Sequence, residues 1–268
     1  MLQVKINNLA RKLGYCSKPD FIIIGAQKAG TTALFSILSK HSKLIGSTVK
    51  EVHYFDNDKW FNEKKLHEYH SFFPFPHQVA PKCKLFEATP IYLYHPKVAE
   101  RLFNYNKKLK LIVMLRNPAL RALSAWTMYH HNFQKGVFSH INDPRSFKEA
   151  IAEDLKNIEN DNYYSNRRGY LKRGIYHYQI ETYLNYFSKE QLLILEDTDL
   201  KKDFDSTSEK IFNFIGILPE KLTIEFSNKS SVENKDQYTS EIELLKDFYK
   251  PHNIKLYSLL GKDYGWNK

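Results

Sequence analysis

An unbroken apolar run, Phe21-Ile22-Ile23-Ile24, stops at Gly25-Ala26-Gln27-Lys28-Ala29-Gly30, after which Ala33, Leu34, Ile37 and Leu38 recur at helical spacing. The pattern predicts a strand buried on both faces, a glycine-bounded turn, and a helix from Thr31 to His41 packed back on the strand. Apolar runs at 84–87, 110–115 and 191–196 predict three more strands. Helical spacing or helix-opening prolines predict helices at 96–103, 118 to about 130, 146–154, 173–187, 207–215, 240–249 and 253–260. Strands alternating with helices give an α/β fold, a P-loop-like three-layer α/β/α sandwich around a parallel sheet, read as one domain over 1–268.

Three segments resist this pattern. Residues 50–56 alternate charged and aromatic side chains, which reads as a loop with Tyr54 and Phe55 tucked into the core. Residues 57–81, rich in aromatics, His, Lys and Pro, predict an irregular, partly helical insertion, and 131–170 a polar, mobile connection. Residues 1–19 read as an N-terminal extension, a short amphipathic helix lying on the domain, with contact to a membrane surface as its other reading.

Two glycines let a backbone bend and approach an anion closely, and the free N–H groups of a following helix then point at it. Gly25 and Gly30 meet the first half of the pattern G-x-x-x-x-G-K-[ST], yet Thr31 stands where the lysine belongs and Lys28 lies inside the loop. A phosphate or sulfate ligand fits; an ATPase loop does not. In a parallel sheet, ligands sit at the carboxyl ends of strands, which places Arg116, after the run 110–115, on the face of the glycine loop. Ser124 is then read as a second anion contact and Arg121 as structural.

Forty Lys and Arg against thirty Asp and Glu leave a formal charge of +10, suited to anionic ligands without separating nucleotides, nucleic acid, sulfated glycans or acidic membranes. Two cysteines, Cys16 and Cys83, make no disulfide framework and suit a reducing, cytoplasmic setting. No apolar run is long enough to span a bilayer. His130-His131 lacks a carboxylate at helical spacing, so no metal site is expected.

Four segments in order resemble the sulfotransferases that use 3′-phosphoadenosine 5′-phosphosulfate (PAPS), most closely the heparan sulfate branch and its bacterial small-molecule relatives. Gln27-Lys28-Ala29-Gly30-Thr31-Thr32 is similar to the family's 5′-phosphosulfate loop. Arg116-Asn117-Pro118 through Arg121 and Ser124 is similar to its 3′-phosphate motif, R-x-P-x-x-R-x-x-S. Lys50-Glu51-Val52-His53-Tyr54-Phe55-Asp56 resembles the branch's K-E-P-H-F-F-D segment, and 248–253 with 264–266 resembles its C-terminal signature. The resemblance implies PAPS as donor, adenosine 3′,5′-bisphosphate as product and no required metal. It implies Lys28 at the bridging oxygen and donors from Thr31 and Thr32. Glu51 is the implied base, with His53 as the other candidate or an orienting donor, and Asp56 positions either or binds substrate. Lys235 stands where the branch's K-G-R cofactor loop is reduced to Lys235-Asp236-Gln237.

Val52 replaces the branch's proline, and Ala88 stands where its glycosaminoglycan enzymes carry a lysine. Loss of that cation weakens the case for a polyanionic sugar, because a charge taken into a cleft needs a partner. The expected function is therefore sulfation of a hydroxyl on a small metabolite, such as an alkaloid toxin of bacterial secondary metabolism, with 57–81 and 131–170 walling the acceptor site. A polysaccharide or lipid acceptor is the alternative. From another class, a non-catalytic module for sulfated glycan or nucleic acid also uses the charge, and a P-loop kinase is a weaker rival. The expected partners are a small acceptor, no nucleic acid and no stable membrane insertion, for a monomer or homodimer.

Overall fold

The computed structural model describes residues 2–137, 142–158, 168–222 and 235–267. They run α1 (Leu2–Lys12), β1 (Phe21–Gly25), α2 (Thr31–Leu38), β2 (Leu44–Gly46), α3 (Asp58–Asn62), α4 (Leu66–Tyr69), β3 (Lys84–Ala88), α5 (Val98–Tyr105), β4 (Lys110–Leu115), α6 (Pro118–Gln134), α7 (Phe147–Lys156), α8 (Tyr176–Leu184), β5 (Leu192–Glu196), α9 (Asp199–Lys202), α10 (Phe204–Ile215) and α11 (Thr239–Leu260). The chain falls into two compact units, Met1–Leu115 with Tyr183–Phe226, and Arg116–Thr182 with Ser227–Lys268.

The first unit holds a five-stranded, wholly parallel sheet in the order β2-β3-β1-β4-β5. β1 is central and entirely buried, which accounts for its unbroken apolar run. The chain moves from β1 to the β2 edge, returns through β3, and crosses to β4 on the other side of β1. The carboxyl end of β1 is therefore a switch point of the topology, where parallel sheets bind ligands. Stacked rings of Phe21 and Phe86, 5.0 Å between centroids, join β1 to β3.

The second unit is built on α6, α7 and α11. Ala122, Leu123, Trp126 and Tyr129 of α6 share a core with Phe147, Ala150 and Ile151 of α7, with Tyr170 and Leu171, and with Leu245 and Tyr249 of α11.

Several expectations shift. Helix α2 ends at Leu38, and Ala33 faces solvent while Leu34, Ile37 and Leu38 are buried. The three-residue β2 and the short α9 were not expected. The two helices expected at 240–249 and 253–260 are one, with Pro251 inside it. The described part of 131–170 is no loose connection: α6 runs four residues beyond His130, α7 begins on a Ser146–Glu149 capping box, and Asp143, Phe147 and Tyr170 are buried. Residues 138–141, 159–167 and 223–234 lie outside the described set, so those parts of the two expected loops are not addressed.

Gly25 closes β1 where a side chain has no room, since a Cβ there would lie 2.5 Å from Leu93 Cβ and 3.1 Å from the Pro90 carbonyl. Gly25→Ala is expected to lower folding stability by about 1–3 kcal/mol through overpacking, read as a reduced urea midpoint at unchanged slope.

Candidate functional site

The glycine loop leaves the switch end of β1 and feeds directly into α2. Its entry is pinned by the Ala26 N–H, which donates to the Met114 carbonyl of β4 at 2.7 Å. Lys28 and Gly30 both adopt left-handed backbone, with φ of 68° and 89°. Gly30 is the N-cap of α2 and brings no side chain to it. The N-terminus of α2 therefore offers amide donors with no acidic residue in its first turn, and Thr31 and Thr32 stand there as its first two residues. Gln27 and Lys28 are half-buried on the loop and Ala29 is buried beneath it. A glycine-bounded turn opening a helix in this way has the geometry that suits a phosphate or sulfate.

The second element of the same unit is the segment that continues β2. Beyond the Gly46–Phe86 pair, the Ser47 N–H donates to the Phe86 carbonyl at 2.8 Å and the Glu51 N–H to the Ala88 carbonyl at 2.9 Å. Glu51 and His53 then take left-handed φ of 65° and 57°, which turns both side chains outward while Val52, Tyr54 and Phe55 go into the core. Such conformations cost of order 1–3 kcal/mol each. Burial of three large apolar side chains, at about 1.5–3 kcal/mol each, outweighs them. The Tyr92 hydroxyl accepts from the Tyr54 and Phe55 N–H groups at 3.1 and 3.3 Å, and Arg101 Nη1 donates to the Phe55 carbonyl at 2.7 Å.

On this loop the charged side chains meet. Lys50 Nζ donates to Glu51 Oε1 at 2.5 Å, His53 Nε2 stands 3.5 Å from Glu51 Oε2, and His53 Nδ1 donates to Asp56 Oδ2 at 2.8 Å. The Glu51 and His53 side chains remain 44% and 46% exposed. His53, with Lys50 beside it, holds the Glu51 carboxyl down to about 2. Asp56 first, and Glu51 second, push His53 up to about 10. At neutral pH the group is thus a carboxylate facing an imidazolium. Behind it, Glu87 of β3 is fully buried and pushed up to about 7 by that burial, while accepting from the Tyr69 and Thr89 hydroxyls at 2.8 and 2.7 Å.

In the second unit, Arg116 precedes α6. Asn117 caps that helix, its Oδ1 accepting from Ala119 and Leu120 N–H at 3.0 and 3.2 Å, and Pro118 takes the first position. The Tyr176 hydroxyl donates to the Arg116 carbonyl at 2.9 Å, which fixes the backbone that presents this guanidinium. Ser124 is buried one turn beyond Arg121. Arg121 is wholly buried and donates through Nη2 to the Tyr170 carbonyl. Lys235 is exposed, in a short 3-10 turn leading into α11.

The structure therefore brings Glu51, His53 and Asp56 together, as the sequence suggested, and adds Lys50 as their direct partner. The supporting groups Glu87, Tyr69, Tyr92 and Arg101 were not foreseen. One signal was available, a glutamate inside the apolar run Lys84-Leu85-Phe86-Glu87.

A parallel sheet with a glycine-bounded anion loop at its switch point and a cation-flanked carboxylate on a neighbouring segment defines a P-loop-like α/β class. The family described as "Sulfotransferase domain" matches residues 18–257, and the chain belongs to that family. It is 25% identical to human heparan sulfate glucosamine 3-O-sulfotransferase 5, over 98% of this chain and 77% of that protein. It is 28% identical to mouse bifunctional heparan sulfate N-deacetylase/N-sulfotransferase 4, over 91% of this chain but only 30% of that protein, so it spans under a third of that relative's length. Among solved structures, a sulfotransferase from Alicyclobacillus acidocaldarius superposes with a TM-score of 0.74 at 25% identity, covering 94% of this chain and all of that one. The fold is the sulfotransferase fold. Among the described residues no helix is long and apolar enough to cross a membrane.

The imidazolium gives a pH test. A His raised from 6.5 to about 10 contributes stability fully present below pH 6.5 and lost as pH rises toward 10. Asp56→Asn removes its largest support. The His53 ring-proton titration followed by NMR should fall by more than about one pH unit, and the stability lost between pH 6.5 and 10 should shrink.

Proposed function

We propose that this protein transfers a sulfuryl group from PAPS to a hydroxyl of a small molecule, with Glu51 as general base. The observation that carries the reading is the ion group on loop 50–56. Glu51 is ionised and can take a proton, whereas His53 already holds both of its own between Glu51 and Asp56. Of the two groups named as base from sequence, this favours Glu51 and gives His53 the part of an orienting donor.

The residues present fit the donor's chemistry. The amide groups at the start of α2, with Lys28, Thr31 and Thr32, suit its phosphosulfate end, and Arg116 with Ser124 suits its 3′-phosphate; Lys235 is a further candidate contact. When bound, PAPS supplies an activated sulfuryl group and a phosphate leaving group. Lys28 would balance charge building on that leaving oxygen, a task that needs no metal because a sulfuryl group carries less charge than a terminal phosphoryl. Glu51 would receive the acceptor's proton, and Asp56 would keep His53 cationic. A small acceptor is supported by Ala88, buried where glycosaminoglycan enzymes of the branch carry a lysine. The two free cysteines support a reducing, cytoplasmic setting.

Purified protein incubated with PAPS and a metabolite extract should yield a sulfated product by mass spectrometry. With that acceptor, Glu51→Gln is expected to lower kcat by about 10²–10⁴ while affinity for adenosine 3′,5′-bisphosphate stays within roughly threefold, and His53→Gln to lower it less. Near-normal turnover of Glu51→Gln would pass the base role to His53. Arg116→Ala should weaken adenosine 3′,5′-bisphosphate binding by about tenfold or more in calorimetry, the loss of a charge-assisted contact; equal affinity would remove Arg116 from the cofactor site.

A further inference from the structure

Helix α1 is amphipathic, and it is docked the wrong way round for a helix that belongs only to its own domain. At about 100° per residue, Ile6, Leu9 and Leu13 fall within a single arc of roughly 60°. The Leu13 N–H bonds the Leu9 carbonyl at 3.0 Å, so the helical turn carries through to it. A solvated helix buries such a stripe against its domain. Here the stripe faces out, with Ile6 50%, Leu9 57% and Leu13 79% exposed. The positions turned inward are Asn7, Asn8, Arg11 and the small Ala10, all half-buried. α1 lies against α4 and the turn at 70–72. Arg11 places its guanidinium 4.1 Å over the Phe75 ring, and just beyond the helix Tyr15 stacks on Phe75 and donates to His77 Nδ1 at 2.9 Å. The inward contacts hold the helix in place without using its aliphatic face.

The charge around that face has one sign. Lys5, Arg11, Lys12 and Lys18 precede the first acidic residue of the chain, Asp20. Lys5 and Lys12 are exposed and flank the aliphatic arc on one side. A second copy of this helix laid face to face would oppose lysine to lysine with no carboxylate on either helix to offset them. A nucleic acid would take the cations through its phosphates but leave the aliphatic arc in water. An anionic bilayer satisfies both features at once, since its acyl boundary takes the leucines and isoleucine while its headgroups take the lysines.

We propose that the outward face of α1 is a peripheral docking surface for an anionic membrane. The inference is independent of the acceptor and of the catalytic roles above. The whole protein is mixed with vesicles of phosphatidylcholine containing phosphatidylglycerol, or of phosphatidylcholine alone, and bound protein is separated by flotation. Wild type should float with the anionic vesicles and not with the neutral ones. The combined variant Ile6→Ser, Leu9→Ser, Leu13→Ser should bind at least about tenfold less, because single-helix anchoring rests on the buried aliphatic area together with the charge. Lys5→Glu with Lys12→Glu should also weaken binding, and added salt should weaken wild-type binding. All substituted positions are exposed, so unchanged thermal melting accompanies these losses. Failure of wild type to float, or equal flotation of the serine variant driven only by the net charge, would overturn the proposal. So would a wild-type dimer in sedimentation that the serine variant converts to monomer without any vesicle binding, which would make the face a contact between copies.

Discussion

The Glu51 N–H bond to the Ala88 carbonyl extends the pairing of β2 with β3 beyond the last residue of β2, and the candidate chemistry depends on it. β2 is an edge strand of three residues, too short to contribute much stability. Its consequence is positional: it sets the register in which the chain leaves the carboxyl end of the sheet. Loop 50–56 inherits that register from β3, the direct neighbour of β1, whose own end carries the anion loop. A one-residue slip would exchange Glu51 with Val52 and put a carboxylate in the core. The cost of that exchange is what fixes the loop, together with Tyr92 and Arg101, which hold the backbone of 54–55 from behind.

The parts legible in the sequence were those where one physical signal dominates. β1, β3, β4 and β5 are short apolar runs, and the glycine turn after β1 has few alternative readings. β2 escaped because Leu44-Ile45-Gly46 sits between polar residues and has no period of its own; pairing with β3 makes it a strand. Pro251 misled in the opposite direction. A proline inside a helix costs about 3 kcal/mol, which argues for a break. Yet Leu245, Tyr249, Asn253 and Leu256 form one buried stripe across it, and the Tyr249 hydroxyl donates to the Leu171 carbonyl at 2.9 Å. The packing of that stripe outweighs the missing amide. Polar residues in 131–170 suggested mobility, but Asp143 is a buried hub accepting from Tyr170 and Arg145, an arrangement composition alone does not show.

Within the candidate site, the motif residues were legible and their protonation states were not. Residue order alone left Glu51 and His53 as competing bases. The backbone places both at left-handed positions two residues apart, so that they face each other and Asp56 backs the histidine, and the base role proposed for Glu51 rests on that geometry. That geometry depends on what lies beneath the loop, Val52, Tyr54 and Phe55, as much as on the charged residues themselves.

Two glutamates in the same unit show how far surroundings set proton affinity. Glu51, half-exposed between Lys50 and His53, is held to about 2, and Glu87, fully buried with hydroxyl donors only, rises to about 7. A carboxylate held near 2 is a weak base, since proton transfer is most effective when the base's pKa lies near the working pH. In the proposed reaction an acceptor covering loop 50–56 would remove water from Glu51 and shift it in the direction Glu87 has already taken. Entry of the acceptor's hydroxyl beside His53 would loosen the contact that does most to hold Glu51 down. In the proposed reaction Glu51 would therefore be a stronger base with the acceptor in place than without it.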